Sequence, residues 1–418
     1  MSKANKDGFF YGWVVVGCCV LVTFNFGIFY IFGVFFKPLQ AEFGWSATLT
    51  SSIPAFFLGV STFSLLLVGW ATDRFGPRLT LASGGTLLGI GISLCSQVSQ
   101  LWHFYLFYGI ASLGVGVLWT LPVATVQRWF VKGRGLTLGI VVAGVGAGAV
   151  VYALTANSLI LTYGWRSTYI ILGIGVWVLL MVAAGLIAAS PDKKGLKPYG
   201  MEEVGMQSTD AGANRHSQVW RTGEWSLREA LRTKSFWLLT AIQLCAMIPI
   251  QMALVHVVPF AMSIGIGENA AAGALALIGG LSIAGRIGMG TAAQKTGFRR
   301  ATIICASICA AMFLWLLGVQ SLWMIYLFAI IYGFFYGGKV PQVPGLVGYF
   351  FPGKSLATIL GMLTAIAAIG AVLGPLLGGF VWDATGSYRI AFIIGASFWA
   401  LAAILAYFLK TPEKMTAT

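Results

Sequence analysis

The chain has 418 residues, 58% of them hydrophobic and only 9% charged, with a formal net charge of +14. An ordinary soluble chain carries about 25% charged residues, so a soluble globular class is excluded. The basic excess has to be explained by position before a nucleic-acid partner is invoked.

In chain order, apolar stretches of roughly 20 residues or more, long enough to cross about 30 Å of hydrocarbon as helices, occur twelve times. Six lie near 13–36, 47–72, 79–97, 101–127, 136–162 and 167–189, and six more near 235–265, 270–293, 300–319, 321–348, 355–381 and 388–409. No small-residue cleavage site follows the first, which reads as a retained helix and not a signal peptide. Between the two sets, residues 190–234 are rich in Gly, Lys, Glu and Ser. Only "EWSLREALRTKSFW" is periodic there: Trp225, Leu227, Ala230 and Leu231 recur at helical spacing between charges, which predicts a short interfacial helix. The expected fold is all-α and membrane-embedded, with twelve transmembrane helices in two pseudo-symmetric six-helix bundles. The first bundle covers 1–190, a cytoplasmic linker 191–234, and the second bundle 235–418.

With the N-terminus in the cytoplasm, 21 of the 26 Lys and Arg fall at one face; Lys37, Arg166 and Arg389 lie opposite, and Arg286 and Lys339 inside spans. Cytoplasmic loops carry an excess of Lys and Arg, so the charge reports topology, with both termini cytoplasmic, and not nucleic-acid binding. The six cysteines (Cys18, Cys19, Cys95, Cys245, Cys305, Cys309) all sit in apolar spans without metal-site spacing and read as packing residues. There is no Walker loop, metal cluster or Ser/His/Asp arrangement; an enzyme, a cofactor and a metal are not expected.

The two halves share a motif. "GWATDRFGPR" at 69–78 returns as "GTAAQKTGFR" at 290–299, 221 residues later, and "GWRSTYI" at 164–170 has a weaker echo in "SYRIAFI" at 387–393. The first stretch resembles the loop between helices 2 and 3 of the major facilitator superfamily, G-x-x-x-D-R-x-G-R-[KR]. Gly69, Asp73, Arg74, Gly76 and Arg78 match, and Pro77 replaces a basic residue. The glycines permit a tight turn and close helix approach, and Asp73 is expected to accept hydrogen bonds from a helix N-terminus across the interface between halves. The second copy keeps Gly290 and Gly297 but has Gln294 in place of the acid. The resemblance implies a secondary transporter working by alternating access between two parallel repeats.

A narrower resemblance rests on "DGFFYGWVVV" at 7–16 and "FGVFFKPLQAEFGWS" at 32–46. These are similar to the first-helix signature of the monocarboxylate transporter family, D-G-G-x-G-W followed by F-F-K, on Asp7, Gly8, Gly12, Trp13, Phe35, Phe36 and Lys37. "RWFVKGRGLTLGI" at 128–140 is also similar to the loop after helix 4 in that family and in the bacterial oxalate/formate antiporters. The resemblance implies that Lys37 is an outer-gate cation catching carboxylate or relaying its proton; the alternative is a snorkelling lysine paired with Glu42.

A charge inside the bilayer is costly and so marks a functional position by default. Arg286 lies in "GGLSIAGRIGMG", where both families carry the arginine that binds substrate carboxylate. A guanidinium is always charged and grips carboxylate with two hydrogen bonds. None of the twelve acidic residues falls mid-span, so an incoming anion could supply the counter-charge. Lys339, in "FFYGGKVPQVPG", either faces the substrate or points at the cytoplasmic opening; Gly337 and Gly338 leave room for a ligand or for close helix contact. Ser282 stands where mammalian-type carriers have an Asp, leaving Lys37, Lys339 and His256 as groups able to hold a proton. The oxalate/formate antiporters carry a lysine in the eleventh helix, and "GMLTAIAAIGAV" at 361–372 has none, which favours one substrate carboxylate over two. Tyr30, Trp119, Tyr332 and Tyr336 are the aromatic candidates for the cavity lining. "GAVLGPLLGG" at 370–379 reads as a gating bend around Pro375. The expected function is proton-coupled symport of small organic monocarboxylates such as lactate or pyruvate, the partners being the carboxylate, a proton and the lipid bilayer. Carboxylate exchange and a non-transporting sensor are the rivals. The short loops and tails point to a bacterial inner membrane.

Overall fold

The computed structural model describes residues 10–45, 47–201 and 225–410; Asp7, Gly8 and most of the 191–234 segment lie outside them, as do the side chains of Tyr30 and Lys37. Every regular element in the described residues is a helix. The chain divides into two compact units, one formed by residues up to 224 together with 353–362, the other by 225–352 together with 363–418.

The first unit holds α1 (Gly12–Phe24), a 3-10 stretch (Asn25–Ile31), α2 (Phe32–Phe43), α3 (Ala47–Phe75), α4 (Pro77–Leu94), α5 (Leu101–Gly114), α6 (Thr120–Trp129) and α7 (Arg134–Leu186). At 53 residues α7 is too long for one crossing, and Gly164, at φ 76° and ψ 165°, breaks it into two. Among the described residues, the eleven apolar helical stretches long enough to cross a membrane therefore supply twelve spans. The second unit contains α8 (Leu227–Leu231), α9 (Lys234–Ser263), α10 (Glu268–Thr296), α11 (Phe298–Trp315), α12 (Leu322–Lys339), α13 (Gln342–Phe350), α14 (Leu356–Thr385) and α15 (Arg389–Tyr407), the first turns of α14 grouping with the first unit. Leu161, Phe63 and Phe380 are 80%, 72% and 72% exposed, as side chains facing lipid would be.

The repeat is legible in the backbone at the same 221-residue offset. Gly76 and Gly297 precede α4 and α11 with φ of 85° and 83°, a region that glycine enters without steric cost. Arg78 donates through Nε to Ala184 O (3.1 Å) and through Nη2 to Gly185 O (2.6 Å). Its counterpart Arg299 donates to Ala406 O (3.0 Å) and Tyr407 O. Each arginine donates to carbonyls in the last turn of a helix, where the negative end of the dipole favours a cation. The fourth span is interrupted at Trp119, between Val115–Leu118 and α6, and the tenth at Val340 and Pro341, between α12 and α13.

The segment between the units is partly fixed. Tyr199 forms a parallel bridge with Phe130, its N–H donating to Trp129 O (2.9 Å) while Val131 N and Lys132 N donate to its carbonyl. α8 is short and carries a capping box between Ser226 and Glu229. Its flanking Trp225 is buried, with its ring 5.3 Å from Phe351. The helix expected at the membrane interface thus turns its apolar side into the protein.

Candidate substrate-binding site

Two buried cations define the second unit. Arg286 lies in α10 with 6% exposure, and Lys339 ends α12 with 1%. Their helices touch at glycines: a Cβ on Gly285 would overlap Phe334 O, and one on Gly337 would lie 2.7 Å from the Ser282 carbonyl carbon. Helix association in lipid depends on such close packing, because lipid tails are as apolar as leucine. Gly337 and Gly338 therefore serve helix contact. Ser282 lies under Gly337, its hydroxyl donating to Gly279 O (2.7 Å).

Lys339 does not point at an opening. Its Nζ donates to Gln243 Oε1 on α9. Just beyond the break, Gln342 is fully buried and donates through Nε2 to Met289 O (3.1 Å) and Gly338 O (2.9 Å), tying the break to α10 three residues past Arg286. With its amide hydrogens so engaged, Gln342 Oε1 is a buried acceptor that receives no hydrogen bond. Tyr332 is fully enclosed, stacked 4.9 Å from Phe328 and 5.6 Å from Phe313 edge to face, so it belongs to the unit's aromatic core. Tyr336, stacked on it at 5.8 Å, is only half-buried and keeps an accessible edge.

His256 occupies a different place. Its Nε2 lies 2.9 Å from Pro375 O and its Nδ1 3.3 Å from the Tyr388 hydroxyl. A neutral ring protonated at Nε2 donates to the carbonyl and accepts from the tyrosine. Gly378 leaves room for it, since a Cβ there would fall 2.5 Å from the His256 ring. The glycines around Pro375 thus dock the imidazole against α14. Thirteen residues along α9 separate His256 from Gln243, roughly 20 Å at helical rise.

In the first unit Trp119 sits at the break of the fourth span (φ −118°), its ring 6.2 Å from Phe26 and its Nε1 buried without an acceptor. Asp73 takes four donors: Arg128 Nη2 (2.6 Å), Ala357 N (3.3 Å), Thr358 N (2.6 Å) and Thr358 Oγ1 (2.7 Å). Arg74 lies over the Trp70 and Phe75 rings at 5.3 and 5.6 Å. Gly69 and Gly290 are both buried. Glu42 is held by Arg166 Nη2 (2.5 Å) and Trp165 Nε1 (2.6 Å). Burial alone would raise its carboxyl, but those two hydrogen bonds and the Arg166 charge outweigh it and hold it below the ordinary value.

Gln243 and Gln342 carry no charge, so intramembrane charge alone does not single them out. An amide within an apolar run is the signal that marks them.

The sequence model of the Major Facilitator Superfamily matches residues 18–317 and 289–418. Monocarboxylate transporter 12 of Rattus norvegicus is 26% identical over 440 residues, covering 100% of this chain and 89% of its own length. Monocarboxylate transporter 13 of the same animal is 26% identical, with 93% and 86% covered, and MFS-type transporter 1 of Ophiocordyceps sp. is 26% identical, with 96% and 85% covered. Among solved structures, the transporter FucP in an outward conformation aligns at TM-score 0.73 and 15% identity over 96% of this chain and 100% of its own. The proton:xylose symporter XylE aligns at 0.75 and 16% over 96% of each. At such identity these two structures speak for the fold alone. This multi-pass membrane transporter, related to monocarboxylate transporters, is not an enzyme; it belongs to the major facilitator superfamily.

Proposed function

We propose that the chain carries small organic monocarboxylates of the lactate or pyruvate type together with a proton, by alternating access, in a cell's inner membrane with both termini cytoplasmic. The observation that carries this reading is Arg286, an arginine enclosed to 6% exposure within a span. A guanidinium stays ionised when buried, and its planar fork matches a carboxylate with two charge-assisted hydrogen bonds. Relatives named monocarboxylate transporters align over the whole chain, which supports the same substrate class. Tyr336, Trp119 and Tyr30 are the proposed aromatic contacts for the substrate's short carbon chain. Trp119 offers an indole N–H that no protein acceptor takes. Lys37 is the proposed outer-gate cation. Loading an anion with one proton adds no net charge, so the loaded carrier changes state without burying a new charge.

Carboxylate exchange is the second reading, and the burial of Lys339 as a further cation favours it. Proteoliposomes separate the two. Labelled lactate uptake driven by an inside-alkaline pH gradient supports symport, and uptake that requires a carboxylate trapped inside supports exchange. Neither activity would refute carboxylate transport altogether.

A further inference from the structure

Lys339 differs from Arg286 in one chemical respect: a lysine can give up its proton, whereas an arginine in a protein does not. It is also the most enclosed charged side chain among the described residues, at 1% exposure. Its neighbours among the described residues are neutral. Gln243 Oε1 accepts from Nζ, and three residues on, across the break, Gln342 Oε1 is a buried acceptor left open. Among the described residues, the titratable groups near enough to sense its charge are three thiols, Cys245 on α9 and Cys305 and Cys309 on α11. On α10 the neighbours of the break are Gly285 and Met289; that helix carries two cations, Arg286 and, in its last turn, Lys295. Glu229 and Asp383, the acidic side chains described in this unit, are both exposed.

Amide oxygens replace water around an ammonium without cancelling its charge; a carboxylate would cancel it. Resting on the proton-coupled reading above, we infer that Lys339 carries the coupled proton and that Gln243 is the positioning residue that holds the ammonium while leaving its charge for the substrate anion to balance. On loading, a proton from water bonds to the Nζ lone pair as the carboxylate enters. On release that N–H bond breaks, the proton returns to water and the neutral amine remains. No electrons change hands. His256, anchored to Pro375 and Tyr388 and roughly 20 Å along α9, takes no part.

The test uses the full chain in proteoliposomes with labelled L-lactate, measuring lactate/lactate exchange and accumulation against a one-unit pH gradient. Coupling of one proton per lactate sets a limit of about tenfold accumulation per pH unit. The wild type is expected to approach it. Gln243→Glu, which places a carboxylate beside Lys339, is expected still to exchange lactate at a measurable rate while accumulation falls to about onefold. Lys339→Gln is expected to do the same, and Gln243→Asn to retain part of the accumulation. A Lys339→Gln or Gln243→Glu protein that still accumulates lactate about tenfold overturns the inference, as does a folded Gln243→Glu that loses exchange as well. If Lys339→Gln fails to fold, Gln243→Glu decides alone. A wild type that exchanges lactate but ignores the gradient overturns the proton reading and this inference with it. A wild type that does not exchange lactate overturns the substrate class instead.

Discussion

Gly337→Ala is a stringent test of the frame that positions both cations. A methyl group at 337 would lie 2.7 Å from the Ser282 carbonyl carbon and nearer still to other Ser282 backbone atoms. Carbon atoms rest about 3.5–4.0 Å apart, so α10 and α12 must separate by about 1 Å. The obstacle is backbone, which cannot swing aside as a side chain would. Overpacking typically costs 1–3 kcal/mol, and a gap of that width also forfeits a quarter to a half of the dispersion energy along the contact. We expect about 3 kcal/mol of destabilisation. The control is Gly280→Ala on α10, where an added Cβ meets nothing within 4 Å. There alanine's helix propensity makes the change neutral or stabilising by up to about 1 kcal/mol. Thermal unfolding of the purified proteins in one detergent, followed by tryptophan fluorescence, measures both. If Gly337→Ala unfolds at or above the temperature of Gly280→Ala, the packing of α10 on α12 is not as described.

Other substitutions probe the remaining elements. His256→Leu strands the Pro375 carbonyl and the Tyr388 hydroxyl and should cost about 1–3 kcal/mol, whereas His256→Gln should recover part of it; equal midpoints for wild type and His256→Leu would show that the ring is not a brace. Arg78→Gln and Arg299→Gln each remove a charged cap from a helix end and should lower the thermal midpoint by similar amounts, about 1–2 kcal/mol apiece. A large effect at only one of them would deny the equivalence of the repeats. Glu42 is held below its ordinary value, so its pairing with Arg166 stabilises the fold above the unfolded carboxyl value and is lost as pH falls through the folded one. Both side chains are about two-fifths exposed, so solvent screening limits the gain to about 1 kcal/mol or less. Glu42→Gln should therefore lower the midpoint slightly at neutral pH and match the wild type in acid.

Span number and the repeat are legible because each depends on local composition: apolar runs, and glycines at turns that require φ near +80°. The division of α7 was legible for the same reason, since Gly164 heads the echo at 164–170. What could not be read was direction. The sequence places Lys339 at a depth but cannot say that its ammonium turns to Gln243, because this choice is made by α9, nearly a hundred residues away. Likewise "GAVLGPLLGG" announces a close approach without naming the ring of His256 as what approaches. Trp225 carried the period of an interfacial helix, yet Phe351 claimed its ring, since an amphipathic pattern does not distinguish a lipid surface from a protein one. Nor does the sequence around Glu42 announce Trp165 and Arg166, which reach it from α7.

The central claim is that Arg286 holds a carboxylate. Titration calorimetry of the purified protein with lactate and with lactamide, its uncharged analogue, tests it most directly. The account predicts that lactate binds the wild type, that Arg286→Lys binds it about 10-fold more weakly for want of the bidentate fork, that Arg286→Ala binds it still more weakly, and that lactamide does not compete. Lactate binding to Arg286→Ala with the wild-type Kd, or equal binding of lactamide, would contradict it.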